Sequence, residues 1–407
     1  MAKQGICEHD LCTGCSACMN ICPKNAITML EDDWGYTHPV IDQNLCIECN
    51  LCDKTCPVIH PLDLTEVQKT YAAISVDDVE RISSSSGGAA SVFSRWIVEH
   101  NGVVYGCSQT NYKHIQHIRV DKSADIPRLK GSKYVQSDIN LILKDVRTDL
   151  REGRLVLFIG TPCQVAGLKN FLRKDYDNLL TADLICHGVP SQKMLRDDIE
   201  ERGFNKNEKN SVFVNFRWKA KAGIQFGIQY GLKNEFNQIK NPLYSKALPY
   251  DPYILAFFSG LSFRENCHTC PYSTPSRVGD ITIGDFWRLG AYEPTNLTIQ
   301  KGVSLILVNS EKGQRLFSAV KHKFIVEERS LKEAIDGNDN LRRPSPRPQN
   351  KTLFYKTYKE KGLRKACEAS VSKKQFYKYA VFEALQRQEF LMRFLKKMRL
   401  ILNKFFK

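Results

Sequence analysis

Nowhere among the 407 residues is there an uncharged apolar run of the roughly 18 residues that a membrane-spanning helix needs. The first residues, Met1 to Cys7, lack the apolar core of a secretory leader, so a cytoplasmic protein is expected. A Gly-x-Gly-x-x-Gly dinucleotide fingerprint and a Gly-x4-Gly-Lys-Ser/Thr phosphate loop are both missing. Direct use of NADH through a Rossmann domain and ATP hydrolysis through a P-loop are therefore not expected. Charge of one sign is also missing from most of the chain. Residues 342–407 hold 19 Lys and Arg against four Asp and Glu, which accounts for the whole net charge of +15. Residues 1–341 hold 40 of each sign, so charge says nothing about what the body binds. With 42% hydrophobic and 25% charged residues, the whole chain is neither disordered nor fibrous. Its length suggests two or three domains.

What the chain has in excess is cysteine. Fifteen cysteines without a leader point to metal or redox chemistry rather than disulfides. Eight fall in two identical runs, Cys12-x2-Cys15-x2-Cys18-x3-Cys22-Pro23 and Cys46-x2-Cys49-x2-Cys52-x3-Cys56-Pro57. Three cysteines at this spacing wrap three corners of an iron–sulfur cube, and the fourth reaches the other cluster. One [4Fe-4S] cluster is thus assigned to Cys12, Cys15, Cys18 and Cys56, and the second to Cys46, Cys49, Cys52 and Cys22. Zinc knuckles would need only four ligands in two pairs and would leave half of each run without a reason. Residues 26–40 between the runs read as a short hairpin.

After a connector to about Lys69, apolar runs alternate with amphipathic segments. Strands are expected at Tyr71–Val76, Val103–Tyr105, His117–Val120, Leu155–Ile159 and Leu179–Ile185. Helices are expected at Ala89–His100, Ile139–Arg151 and Val165–Lys174. That alternation implies a mixed α/β, or α+β, core with parallel strands. Residues 211–250 look more β-rich, and strands at Ile281–Ile283 and Val303–Val308 precede a helix at Gly313–His322. Arg342 to Pro348 is a stiff, Pro-rich stretch. The expected organisation is a bacterial-type two-cluster ferredoxin module over 1–65, core segments over 70–150 and 151–335, a linker over 336–350, and a basic helical tail over 351–407.

Of the remaining cysteines, Cys163 and Cys186 end expected strands, where α/β folds place ligand sites. Cys267 and Cys270 form a Cys-x2-Cys pair followed by Pro271. Together these are four ligands, the number a further cluster or a zinc ion needs. Taken singly, each reads equally as a buried small apolar side chain, and Cys163 before a helix as an activated thiol.

Several motifs carry a family resemblance. Arg81 to Gly88 (RISSSSGG), Leu129 to Gln136 (LKGSKYVQ), Gly160 to Leu168 (GTPCQVAGL), Cys186 to Ser191 (CHGVPS), Cys267 to Tyr272 (CHTCPY) and Gly279 to Trp287 (GDITIGDFW) resemble the coenzyme F420 hydrogenase/dehydrogenase beta-subunit family over about residues 70–330. The resemblance implies an α/β flavoprotein core with FAD and a third [4Fe-4S] cluster on Cys163, Cys186, Cys267 and Cys270. Cys7, Cys107 and Cys367 match no motif and read as structural. For FAD, Ser84, Ser85, Ser86, Gly87 and Gly88 offer backbone donors at a helix N-terminus, though the same run alone reads as a helix cap. Gly131, Ser132, Lys133 and Tyr134 offer a cation and a phenol in a tight loop. Thr161 and Gln164 flank a cluster ligand, and Asp285 suits a flavin or substrate hydroxyl, or the cap of a turn. Lys133 and His187 are the expected catalytic residues, His187 as a proton donor or else as a structural histidine.

The expected function is a flavin-dependent iron–sulfur oxidoreductase, in which single electrons enter through the ferredoxin module and collect on FAD for two-electron chemistry. The alternative is a non-catalytic electron-transfer subunit feeding a separate hydrogenase or dehydrogenase. The resemblance implies a soluble ferredoxin or another electron carrier as partner. As substrate it implies coenzyme F420 or, as in surface-polysaccharide biosynthesis, a lipid-linked or nucleotide sugar. From Gln388 to Lys407 apolar residues follow helical spacing with basic residues opposite. This predicts peripheral binding to an anionic membrane surface through residues 388–407, and no nucleic acid.

Overall fold

A computed structural model of the chain describes residues 5–111, 114–204, 212–220, 223–233, 239–382 and 384. The tail segment 388–407, expected to meet a membrane, lies outside the described residues. No helix among the described residues is long and apolar enough to cross a membrane.

The two cysteine runs fold alike. Each leads through a residue of positive φ, Ser16 and Asn50, into one short helix, α1 (Ala17–Ile21) and α2 (Leu51–Thr55). Between them the expected hairpin pairs β1 (Ile27–Glu31) with β2 (Thr37–Ile41), antiparallel, Ile27 opposite Ile41.

Beyond the connector the chain builds β3 (Lys69–Ser75), α3 (Asp78–Ser83), α4 (Ala89–Glu99), β4 (Val103–Gln109), β5 (Ile115–Val120), α5 (Ile142–Arg151), β6 (Val156–Gly160), α6 (Pro162–Leu172), β7 (Leu179–Leu184) and α7 (Gln192–Glu201). A three-stranded antiparallel sheet follows, β8 (Phe213–Ala220), β9 (Gly223–Gly231) and β10 (Tyr244–Ala247), then α8 (Pro252–Phe258). The chain returns through β11 (Ile281–Asp285), β12 (Ser304–Val308), α9 (Glu311–Val320), β13 (Phe324–Glu328) and α10 (Leu331–Gly337) before α11 (Lys351–Ser370).

The large sheet has eight strands in the order β13-β3-β12-β11-β7-β6-β4-β5. Its centre, β11, β7, β6 and β4, is parallel. The outer pairings are antiparallel. Strand β3 lies between β12 and β13, so segments 70–150 and 151–335 interleave in one sheet and form one structural unit. Strand side chains alternate between two cores. Val103, Tyr105, Val156 and Phe158 pack with Leu143, Val146 and Leu150 of α5 and Val165, Leu168 and Phe171 of α6. Val104, Leu157, Leu180 and Ala182 pack with Phe93 and Ile97 of α4 and Phe317 of α9. Each large side chain buried this way contributes roughly 1.5–3 kcal/mol.

The ferredoxin-like module is sewn onto the α5–α6 face. Asn20, 1% exposed, donates to the Asn140 carbonyl at 2.7 Å. The buried Arg264 donates to the carbonyls of Cys12 at 2.7 Å and Thr37 at 2.9 Å. Tyr36 donates to the Ser262 carbonyl at 2.7 Å. The Pro-rich stretch expected as a linker is not a free spacer. Ser345 holds the backbone of His187 and the ring of His268.

Candidate metal centres

The helical turns carry the cysteines of each run toward one another. One cavity, of about 20 Å³, is lined by Cys12, Cys15, Cys18 and Cys56, together with Cys7. A second, of about 260 Å³, is lined by Cys46, Cys49, Cys52 and Cys22. This is the crossed grouping expected from the spacing. Cys7, read as structural, instead stands inside the first cavity and hydrogen-bonds with the thiols of both Cys12 and Cys56. Those bonds hold Cys12 down to about 3 and Cys56 down to about 7, while Cys7 itself is pushed far up.

Cys163, Cys186, Cys267 and Cys270 also converge, and the thiols of Cys163, Cys186 and Cys267 each feel the charge of others in the set. Cys163 enters α6 directly behind Pro162. Cys186 follows β7, and the pair Cys267/Cys270 lies on and just after a 3-10 turn, Glu265–Thr269. Burial, then mutual repulsion, pushes Cys163 up to about 12 and Cys267 up to about 11. Four half-buried cysteines whose thiols are pushed up suit a cationic centre, which deprotonates coordinating thiols outright. Zinc fits the spacing poorly, because bonds of about 2.3 Å in a tetrahedron put sulfurs roughly 3.8 Å apart. Among the described residues, the only group of three or more possible ligands within 4.8 Å of one another is His9, Asp32 and His38. No three thiols of any one quartet lie that close together.

Buried polar side chains hold the third quartet in place. Arg277 pairs with Asp183 at 2.9 Å and donates to the Tyr272 and Leu184 carbonyls, tying the Cys267/Cys270 loop to the end of β7. Lys351, 1% exposed, donates to the Phe263 carbonyl at 2.7 Å and to His268 Nε2 at 2.8 Å, and pairs with Glu265 at 2.7 Å. His268 donates from Nδ1 to the Ser345 carbonyl at 3.0 Å, and burial with the Lys351 charge lowers it to about 4. It is a neutral bridge between the loop and the C-terminal segment.

The first and third quartets are neighbours through one helix. A Cβ at Gly167 on α6 would stand 2.9 Å from the Cβ and Sγ of Cys15, so only glycine admits this approach. Cys163 lies one turn earlier on the same helix. Tyr272, 6% exposed, feels the charges of Cys15 and Cys56 on one side and of Cys163 and Cys270 on the other. Arg264 lowers Cys12, Cys163 and Cys267 alike, and thus supplies positive charge between the two sets. His38 sits at the outer edge of the first quartet. Burial opposes its charged form, but hydrogen bonds with Asp32 and Cys12 outweigh burial and hold it above its ordinary value.

The residues expected to hold a flavin also converge, at the carboxyl ends of the parallel strands. The amide of Ser132 donates to Ser85 Oγ at 2.7 Å and joins the Ser84–Gly88 and Gly131–Tyr134 loops. Asp285 pairs with Arg217, which also hydrogen-bonds Tyr134. His187, exposed at the surface, feels both charges of that pair. Several expected contacts have partners within the protein. Ser84 donates to the Glu80 carbonyl and Ser86 to the Val303 carbonyl. Gly87 abuts the Ala73 carbonyl, and Gly88, at φ 101°, caps α4. Thr161 and Gln164 form the capping box of α6. Lys133, expected as catalytic, is half-buried and donates its three protons to the carbonyls of Cys107, Leu129 and Lys130.

Sequence reasoning missed Arg81, Arg217 and Lys219, whose cations crowd beside the serine loop. Burial, then Arg81 and Arg217, lowers Lys219 to about 7, and Lys219 donates to the Arg81 and Ser86 carbonyls. The Nε atoms of Arg81 and Arg217 are buried without a partner. Such a cluster of basic side chains, with Arg217 answered by Asp285, is chemically compatible with a phosphate-bearing cofactor.

Two family models match the chain. "4Fe-4S dicluster domain" covers residues 11–59, and the model for the C terminus of the coenzyme F420 hydrogenase/dehydrogenase beta subunit covers residues 153–334. A curated relative, the F subunit of the F(420)H(2) dehydrogenase of Methanosarcina mazei, is 21% identical over 225 residues, 52% of this chain and 63% of the relative. The A subunit of the H(2):CoB-CoM heterodisulfide,ferredoxin reductase of Methanothermobacter thermautotrophicus is 36% identical over 90 residues, 18% of this chain and 14% of the relative. The chain thus spans less than two thirds of either relative. Both are archaeal, which corrects the expected bacterial label: the word describes the cysteine spacing and not the source of the relatives. Among solved structures, the F420-reducing [NiFe] hydrogenase complex of Methanosarcina barkeri is 18% identical with a TM-score of 0.45, covering 75% of this chain and 91% of that one.

Proposed function

Because the chain is an F420 hydrogenase/dehydrogenase beta-subunit-like protein with an N-terminal 4Fe-4S ferredoxin domain, we propose that it works as an electron-transfer subunit. It passes single electrons from the solvent-facing second cluster, through the first, to a third [4Fe-4S] cluster on Cys163, Cys186, Cys267 and Cys270. The observation that carries this reading is the seat of Cys15 on Gly167, in the helix that bears Cys163. A relay needs its centres in near contact, and one helix provides it.

The cluster of Arg81, Arg217 and Lys219 beside the serine loop favours a second reading on top of the first. FAD would sit there, its phosphates answering the crowded cations and the Gly131 and Ser85 loops flanking it. When bound, a flavin supplies the step from one-electron to two-electron chemistry. The relatives' names carry F420 and heterodisulfide chemistry. Coenzyme F420 is therefore the substrate proposed, ahead of a polysaccharide intermediate.

The test is iron, sulfide and flavin analysis of anaerobically prepared protein. Three cubes give about 12 Fe per chain, and Cys163→Ala should lower this to about 8 while the two ferredoxin-domain signals persist. About 8 Fe in the unaltered protein would remove the third cluster. Absence of flavin would leave the relay reading and remove the FAD.

A further inference from the structure

The first cavity holds five thiols where an iron–sulfur cube takes four. The internal repeat shows that the fifth is not required for packing. Cys7 stands five residues before Cys12, and the matching place in the second run, five residues before Cys46, is Ile41. Ile41 lines the second cavity as Cys7 lines the first. An aliphatic side chain therefore serves at this place in one half, and a thiol stands there in the other. Cys7 shares that cavity with Cys12 and Cys56, the two ligands with which its thiol interacts. The first cavity is the smaller by far, about 20 Å³ against about 260 Å³. A cube bound there must either displace the Cys7 thiol or use it.

We propose that Cys7 is an exchange ligand of the first cluster, able to take the iron corner otherwise held by Cys12 or by Cys56. The exchange is balanced. The Cys7 thiol gives up its proton as its sulfur binds iron, the released cysteine takes up a proton, and no electron is gained or lost. Cys15 and Cys18 line the same cavity but are each held by the fold. Cys15 is fixed against Gly167 and Cys18 is buried on α1. The inference rests on the ferredoxin domain and not on the third cluster, because its test reads a difference in iron whatever the total.

The experiment compares single and double variants of the full chain, prepared anaerobically, by iron and acid-labile sulfide content and by electron paramagnetic resonance of the reduced protein. Cys12→Ala and Cys56→Ala should each keep the first cluster, with an altered signal. Cys15→Ala and Cys18→Ala should each lose about four Fe. Adding Cys7→Ala to either Cys12→Ala or Cys56→Ala should remove the cluster that the single variant kept. The second cluster's unchanged signal reports that each variant has folded, and a variant lacking it is replaced by the Cys→Ser counterpart. Loss of about four Fe from Cys12→Ala and Cys56→Ala alone, equal to that from Cys15→Ala, would overturn the proposal. So would a double variant that keeps its iron.

Discussion

The two halves of the ferredoxin domain have the same cysteine spacing and opposite surroundings. In the first run Cys12, Cys15 and Cys18 are all buried, at 8%, 8% and 9% exposure. In the second, Cys49 is exposed and Cys46 and Cys52 are half-buried. Residues between the cysteines make the difference. Gly14 and Glu48 occupy the same place, and both have positive φ, 65° and 51°. A Cβ at Gly14 would come within 2.4 Å of Gln136 Nε2 and 3.1 Å of Arg264 Nη1. Glu48 faces water and has no such constraint. Likewise Asn20, buried and bonded to Asn140, matches Lys54, which is exposed. Ligand spacing sets which cysteines share a cube, and the residues in between set which cube faces the core. In the proposed reading the first serves as an internal relay and the second as a port.

If that contrast is right, equivalent substitutions should act unequally. Cys15→Ser and Cys49→Ser should each remove about four Fe. Cys15→Ser additionally leaves a hydroxyl unpaired against α6, worth about 1–3 kcal/mol, and its apparent melting temperature should fall further than that of Cys49→Ser. Gly14→Glu meets Gln136 and Arg264 and puts a side chain at positive φ, together on the order of 2–6 kcal/mol. It should loosen the domain and expose Lys54 and Lys69, on either side of the connector, to trypsin. Glu48→Gly should stay within about 1 kcal/mol of the parent protein.

Arg264→Met removes the donor to the Cys12 and Thr37 carbonyls, about 1.5–3 kcal/mol for bonds from a charged group. It also removes the positive charge between the first and third quartets. In a redox titration followed by paramagnetic resonance, the potentials of those two centres should become more negative and that of the second cluster should not move. A shift of the second cluster alone would break the comparison. The smallest structural effect is expected at the port. Leu45 and Ile47, 50% and 56% exposed beside the second cavity, should tolerate serine within about 0.5 kcal/mol. Reduction by a protein donor should nonetheless slow, as followed by stopped-flow absorbance.

The parallel strands were legible because Leu155–Ile159 and Leu179–Ile185 are continuous apolar runs ended by Gly160 and Cys186, and β6 and β7 lie within a residue of those bounds. Helix α5 starts three residues later than expected, because Asn140 takes positive φ and Ile139 turns into the core. Helix α8 went unseen although Asp251-Pro252 is a strong start signal, with Asp251 accepting from the Tyr253 and Ile254 amides. The crossed grouping of the ferredoxin cysteines was legible because a fixed ligand spacing is a local property. What holds the quartets was not. Gln136, Arg217, Arg264 and Lys351 are single polar residues whose partners lie dozens to hundreds of positions away. No periodicity marks them. The same holds for Cys7, whose meaning depends on Cys56 arriving from the other run.

The central claim is directional: electrons enter at the exposed cluster and leave through the buried one. Rapid-freeze paramagnetic resonance on the parent protein and on Cys49→Ala, each mixed with a reduced one-electron carrier protein, tests this directly. The account predicts that the first cluster is reduced quickly in the parent and slowly in Cys49→Ala, while a small chemical reductant still reduces it fully in both at equilibrium. Equal fast reduction of the first cluster in both proteins would contradict it.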